Sequence, residues 1–155
     1  MIVLDASALV EFLVGADGAA ERVRAAVAGR NPAVPCAADL ECTSVLRGLV
    51  RGGRLEEEEA RSALELLGRM GLRRYDRLPL LPRVWELRHD MRPYGAVYAA
   101  LAEVLDADLV TVDAELSTVP GCGVGCATSA EADAVRAIPS SARVSGWGPP
   151  PGPRA

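Results

Sequence analysis

Met1-Ile2-Val3-Leu4-Asp5-Ala6-Ser7 opens the chain, and the fold follows from how this stretch is read. Ile2 to Leu4 is wholly apolar and ends abruptly in a carboxylate. Ala8-Leu9-Val10 and Phe12-Leu13-Val14 then resume in a pattern that suits a helix. A short run buried on both faces is typical of a central strand in a parallel sheet covered by helices. Ligands in open α/β sheets bind outside the carboxyl ends of the strands, which is where Asp5 falls. The plainer role for Asp5 is to cap the helix that follows, which Asp does well.

Beyond this opening, Asp17-Gly18 makes a turn, and the spacing of Val23 and Val27 predicts a helix over 19–28. Gly29-Arg30-Asn31-Pro32 ends it, and Ala33-Val34-Pro35-Cys36 is a short second strand. Residues 38–50 form a strong helix with Leu40, Val45, Leu46 and Leu49 as its apolar stripe and Glu41 near its start. After Gly52-Gly53 a helix over 55–67 opens with Glu56-Glu57-Glu58-Glu59, a solvated first turn matched to the helix dipole. An edge strand is expected at 71–75, a helix over 79–91 and a further helix over 96–105. Leu109-Val110-Thr111-Val112-Asp113 then repeats the opening device, an apolar strand ending in Asp. Gly121-Cys122-Gly123-Val124-Gly125 lacks the glycine spacing of a dinucleotide loop and suits a turn plus a short edge strand. Residues 131–138 suffice for a turn or two of helix. The Pro- and Gly-rich remainder is expected to be disordered, so a domain over 1–127 and a tail over 128–155 are predicted.

Composition narrows the chemistry. With 155 residues, 50% hydrophobic and 25% charged, the chain suits one globular domain, and no apolar run reaches the length of a membrane span. No basic region precedes the first apolar run, so no signal peptide is expected and a cytoplasmic location follows. All 17 basic residues are Arg, which excludes mechanisms that need an active-site Lys, such as P-loop hydrolysis or Schiff-base chemistry. A net charge of −4 argues against broad electrostatic binding of nucleic acid. Eleven arginines nevertheless lie between Arg47 and Arg92, apart from Asp5, Glu41 and Asp113. Cys36, Cys42, Cys122 and Cys126 lack tight zinc spacing and suit small buried hydrophobes. His89 stands alone, at a helix end, so a His-centred triad has a single candidate base.

Three acids are therefore singled out by position: Asp5 and Asp113 at strand ends, and Glu41 in the first turn of a helix that follows a strand. If the strands are parallel neighbours, the three converge on one edge of the sheet. Crowded carboxylates repel unless protonated or bridged by a cation. Oxygen ligands without Cys or His point to Mg²⁺, with Mn²⁺ as the alternative, and such ions activate water against phosphodiesters.

Four segments carry a resemblance. Ile2-Val3-Leu4-Asp5-Ala6-Ser7-Ala8-Leu9, Asp39-Leu40-Glu41-Cys42-Thr43-Ser44-Val45-Leu46, Tyr94-Gly95-Ala96-Val97-Tyr98-Ala99-Ala100-Leu101-Ala102 and Leu109-Val110-Thr111-Val112-Asp113 resemble the successive motifs of the PIN-domain family. They are most similar to the ribonuclease toxins of VapBC-type toxin–antitoxin pairs. The resemblance implies an α/β, PIN-like three-layer fold, a central parallel sheet covered by helices on both faces. It implies a Mg²⁺-dependent endoribonuclease, homodimeric, acting on RNA and neutralised by a small antitoxin protein, with no membrane partner. Asp5, Glu41 and Asp113 match family acids and would be both metal-binding and catalytic, and Thr111 matches a frequent hydroxyl position near the metal. There is one departure: the family reads Tyr-Asp-Ala where this chain has Tyr94-Gly95-Ala96. Glu103, eight residues on and about 12 Å along the same helix, is badly placed to fill that gap. The alternative is thus a catalytically impaired PIN fold that binds an antitoxin or RNA without cutting.

Overall fold

The computed structural model describes residues 1–113, Leu116 and the strand at 125–126. Among the described residues five parallel strands form one sheet, with β1 (Ile2–Leu4) at its centre. On one side of β1 lie β2 (Pro32–Pro35) and then β3 (Arg73–Tyr75) at the edge. On the other lie β4 (Asp108–Thr111) and β5 (Gly125–Cys126). Ile2, Val3 and Leu4 are all fully buried, as a strand covered on both faces requires. The strand order reverses direction at β1, the point where open α/β sheets leave a crevice at their carboxyl ends.

The helices that cover the sheet are α1 (Ala6–Val14), α2 (Gly18–Val27), α3 (Ala38–Arg51), α4 (Glu57–Arg69), α5 (Leu81–Glu86) and α6 (Pro93–Leu105). Helix α1 packs on α2, α3 and α4, while α6 lies across β1, β2 and β4 and against α5. The main core joins the sheet to α1 and α6. A smaller one, built on Leu46, Ala60 and Ala63, locks α3 to α4. Among the described residues no helix is long and apolar enough to cross a membrane.

Three expectations need correction. The helix over 79–91 is broken into a 3₁₀ turn at Leu78–Leu80, the short α5, and a second 3₁₀ turn at Leu87–His89. Pro79 and Pro82 supply no N–H to an α-helical ladder, so a single helix cannot run through them. The stripe on α3 is also shifted. Ala38, Cys42 and Leu46 are buried and Leu49 is half-buried, a true i, i+4, i+8, i+11 row, whereas Leu40 is 77% exposed and Val45 faces solvent too. Helix α6 starts three residues early, at Pro93, because proline suits the first turn of a helix, and Gly95 is then its third residue. The acid run behaves as expected: Glu59 reaches back to the Glu56 N–H at 3.1 Å, closing the start of α4. The predicted helical turns over 131–138 and the tail over 128–155 lie outside the described residues.

A buried cation fastens α5 to α6. Arg83, 8% exposed, grips Glu103 with two hydrogen bonds of 2.7 and 3.0 Å and also reaches Glu86 at 2.8 Å. Removing one partner of a buried pair leaves the other charge uncompensated. Because both glutamates keep some contact with water, Arg83→Ala is expected to cost ~2 kcal/mol, below the ~3–5 of a fully buried pair. A urea titration checks this, and an unchanged midpoint would show the pair to be dispensable.

Candidate active site

The strand register brings the first groups together. Leu4 lies opposite Val110, and the Asp5 N–H extends the ladder to the Val110 carbonyl at 3.1 Å. Asp5 and Thr111 consequently leave the sheet side by side. Thr111 Oγ1 donates to Asp5 Oδ2 at 2.5 Å, and Ser7 Oγ donates to the same carboxylate, 2.7 Å from Oδ1. The Ser7 oxygen in turn accepts the Val112 N–H at 3.1 Å. The Ala8 N–H donates to Asp5 Oδ1 at 2.7 Å, so Asp5 does cap α1.

Capping is only part of its role. The three donors make four contacts with the carboxylate, because Ser7 Oγ also lies 2.9 Å from Oδ2. Asp5 is 3% exposed, and that burial pushes its carboxyl above the ordinary range. The donors on Ala8, Thr111 and Ser7 oppose the rise, and the charge of Asp113 adds to it.

Glu41 stands in the first turn of α3, half-buried, and its Oε1 is buried without a hydrogen-bond partner. Burial raises its carboxyl too, with Asp5 adding to the rise. The Tyr98 phenol is close enough to oppose that rise. Even so, neither Glu41 Oε1 nor Tyr98 Oη attains hydrogen-bond geometry. Asp113 lies exposed two residues beyond β4, its N–H donating to Thr111 Oγ1 at 2.9 Å.

Asp5, Glu41, Asp113 and Gly95 all line one cleft of about 620 Å³. Among the described residues, however, no three acidic, histidine or cysteine side chains close on a common point. The three acids share a cleft without converging on one position. Their chemistry still fits a hard cation, because the donors are all oxygens and one of them is a buried orphan.

The PIN domain family model matches residues 2–121. The chain belongs to the PIN-domain family. Ribonuclease VapC9 of Mycobacterium tuberculosis is 41% identical over 117 residues, covering 76% of this chain and 89% of that protein. Ribonuclease VapC1 of the same organism is 37% identical over 120 residues, covering 77% and 90%. The crystal structure of VapC20 from M. tuberculosis, a Sarcin-Ricin loop cleaving toxin, superposes with a TM-score of 0.58 at 17% identity. It covers 76% of this chain and 93% of that one, and at that identity the likeness is one of fold.

Two further acids within or near the motifs of this PIN domain are committed elsewhere. Asp39, two residues before Glu41, is held by the Arg74 guanidinium through bonds of 2.7 and 2.9 Å. Glu103 belongs to Arg83. Cys36 and Cys42 carry free thiols, and burial pushes Cys42 up to about 12, so it is an inert core residue. Gly95 faces an obstacle no pattern announced. A Cβ built there would come within 2.5 Å of Leu116 Cδ2, so leucine fills the space next to the position where the resemblance leads one to expect a further acid.

Three participants went unassigned in the sequence. Ser7 sits two residues after Asp5 and Tyr98 one turn after Gly95, both inside the family motifs. Only Ser7 had a local signal, a hydroxyl beside a strand-end Asp. Glu11, one turn of α1 further on, also lines the cleft. Its carboxyl is raised by burial and by Asp17, with Arg24 opposing.

Proposed function

We propose that this PIN domain is a Mg²⁺-dependent endoribonuclease, with Mn²⁺ as a substitute ion, and that it is the toxin of a type II toxin–antitoxin pair in the cytoplasm. The observation that carries the reading is the shared cleft of Asp5, Glu41 and Asp113, with the carboxyls of Asp5 and Glu41 raised chiefly by burial and further by a neighbouring acid, Asp113 for the first and Asp5 for the second. Asp5 and Glu41 would hold the cation directly, with Asp113 at the rim. Mg²⁺ commonly takes only one or two carboxylates and keeps its waters. When bound, such an ion supplies an activated water and stabilises the leaving oxygen of a phosphodiester.

The protein's own part is positioning. Ser7 and Thr111 fix the Asp5 carboxylate, Val112 and Asp113 anchor those hydroxyls through their N–H groups, and Tyr98 walls off Glu41. The names of the relatives, ribonucleases VapC9 and VapC1, support RNA as substrate.

A small antitoxin protein and a second copy of the chain are the proposed partners. Exposed Leu40, Val45 and Leu81 line an apolar groove of about 760 Å³, a surface that suits an amphipathic helix.

The test is cleavage of RNA by the purified protein. Fragments should form with Mg²⁺ or Mn²⁺ and none with chelator. Intact RNA under every metal condition would favour the second reading, a catalytically impaired PIN fold that only binds, to which Leu116 beside Gly95 lends support.

A further inference from the structure

A second cleft, about 790 Å³, opens from the first, and Tyr94, Gly95, Asp113 and Leu116 line both. Its far wall is the segment after α5, where Arg88, His89 and Arg92 stand exposed around one acid, Asp90. Arg88 is held in place rather than waving in solvent. Its guanidinium lies 4.9 Å over the Trp85 ring, and its Nη1 donates to the Trp85 carbonyl at 2.8 Å. Trp85 is 69% exposed and Tyr94, at the junction of the clefts, 71%. Arg54 lines the first cleft together with the acids. Arginines thus border both clefts.

A protein of net charge −4 attracts nucleic acid only through such a local strip. An exposed aromatic ring beside it adds a platform for a base, but only for one freed from a helix. Resting on the ribonuclease reading, we propose that the cleft bounded by Arg88, His89, Arg92 and Tyr94 is the track along which single-stranded RNA runs from the scissile phosphate. The arginines meet backbone phosphates, Trp85 props Arg88, and Tyr94 stacks on the base next to the cut.

The experiment measures fluorescence anisotropy of a labelled single-stranded RNA of mixed sequence, bound to the full chain carrying Asp5→Asn so that the probe stays intact. A probe of ~12 nucleotides lies within the usual span of a single-strand site. Added to that background, Arg88→Gln with Arg92→Gln should weaken binding ~10-fold or more. It should also flatten the slope of log affinity against log salt by ~1.4, since each single-strand phosphate contact contributes ~0.7. Tyr94→Leu should weaken binding ~5-fold or more, the low end of one lost stack, and leave the slope unchanged. The same RNA as a duplex should compete poorly. All three side chains are exposed, so the variants should keep a cooperative melt close to that of the background protein.

If the unaltered chain neither binds nor cuts single-stranded RNA, the ribonuclease reading fails and takes this track with it. If it cuts RNA while the variants keep both affinity and slope, the track alone is overturned. Loss of a co-expressed small protein partner with RNA affinity intact would likewise overturn it, marking the face as a protein interface.

Discussion

Asp5→Asn is expected to abolish RNA cleavage, by ~10²-fold or more, and at the same time to stabilise the metal-free protein at neutral pH. The first effect follows from the proposed role. Losing a ligand carboxylate forfeits several kcal/mol of charge stabilisation, and each ~1.36 kcal/mol is a tenfold change in rate. The second follows from burial. The Asp5 carboxyl is raised in the folded state, so the fold binds its proton more readily than the unfolded chain does. Such a group contributes stability in full below its unfolded value of about 3.9 and loses it as pH rises through the folded value. As pH rises toward neutral the parent therefore gives up this contribution. Asparagine does not titrate, and its Oδ1 can keep the Ala8 N–H. Melting temperatures in chelator should therefore favour the variant near neutral pH, with the gap closing toward pH ~4, the unfolded carboxylate's own range. Mg²⁺ should raise the melting temperature of the parent and not of the variant. Equal melting across that pH range, or equal cleavage, would show that Asp5 is an ordinary cap.

Gly95→Asp is expected to speed cleavage only slightly by itself and ~10-fold or more when combined with Leu116→Ala, the scale on which groups around a metal tune it. The structure separates the two cases. Leu116 Cδ2 sits 2.5 Å from where the new Cβ would be, so an added carboxylate enters the cleft only as that side chain swings away. Because position 95 is the third residue of α6, the added carboxylate would also meet the positive end of the helix dipole, a gain of ~0.3–1 kcal/mol. In chelator a fourth acid among Asp5, Glu41 and Asp113 adds repulsion, so stability should fall; with Mg²⁺ the added ligand should reverse the sign. Cleavage rates and melting, each with Mg²⁺ and with chelator, provide the check. No gain in the double variant would show that position 95 is not where this chain lost a ligand, and the correspondence with the family at that residue would be withdrawn.

Much of the architecture is written locally. The apolar triplet before Asp5, the Val110-Thr111 strand before Asp113 and the helical spacing of Val23 and Val27 each specify backbone conformation and buried face within a few residues. The motifs also place Asp5, Glu41 and Asp113 at the carboxyl edge. Local pattern misleads where one residue alters the phase or the ladder. Pro82 divides a segment whose leucines alone suggest one helix. The stripe on α3 is counted correctly only from Cys42, a residue whose burial depends on Ala6, whose carbonyl its thiol meets at 3.8 Å.

By itself, then, the amino-acid order determined the parallel α/β class, the sequence of elements and which acids end near the sheet's working edge. Periodicity and turn chemistry act over a few residues, and so can be read there. The tertiary structure alone decided that Ser7 and Thr111, 104 positions apart, hold one carboxylate between them, and that Glu41 Oε1 is buried without a partner. It also decided that Leu116 occupies the space beside Gly95, that Arg88 stacks on Trp85, and that the acids share a cleft without meeting at a point. Such distances depend on strand register and on how helices from distant parts of the chain settle against one another. No local pattern carries that information, because side chains far apart in sequence become neighbours only after the whole core has packed.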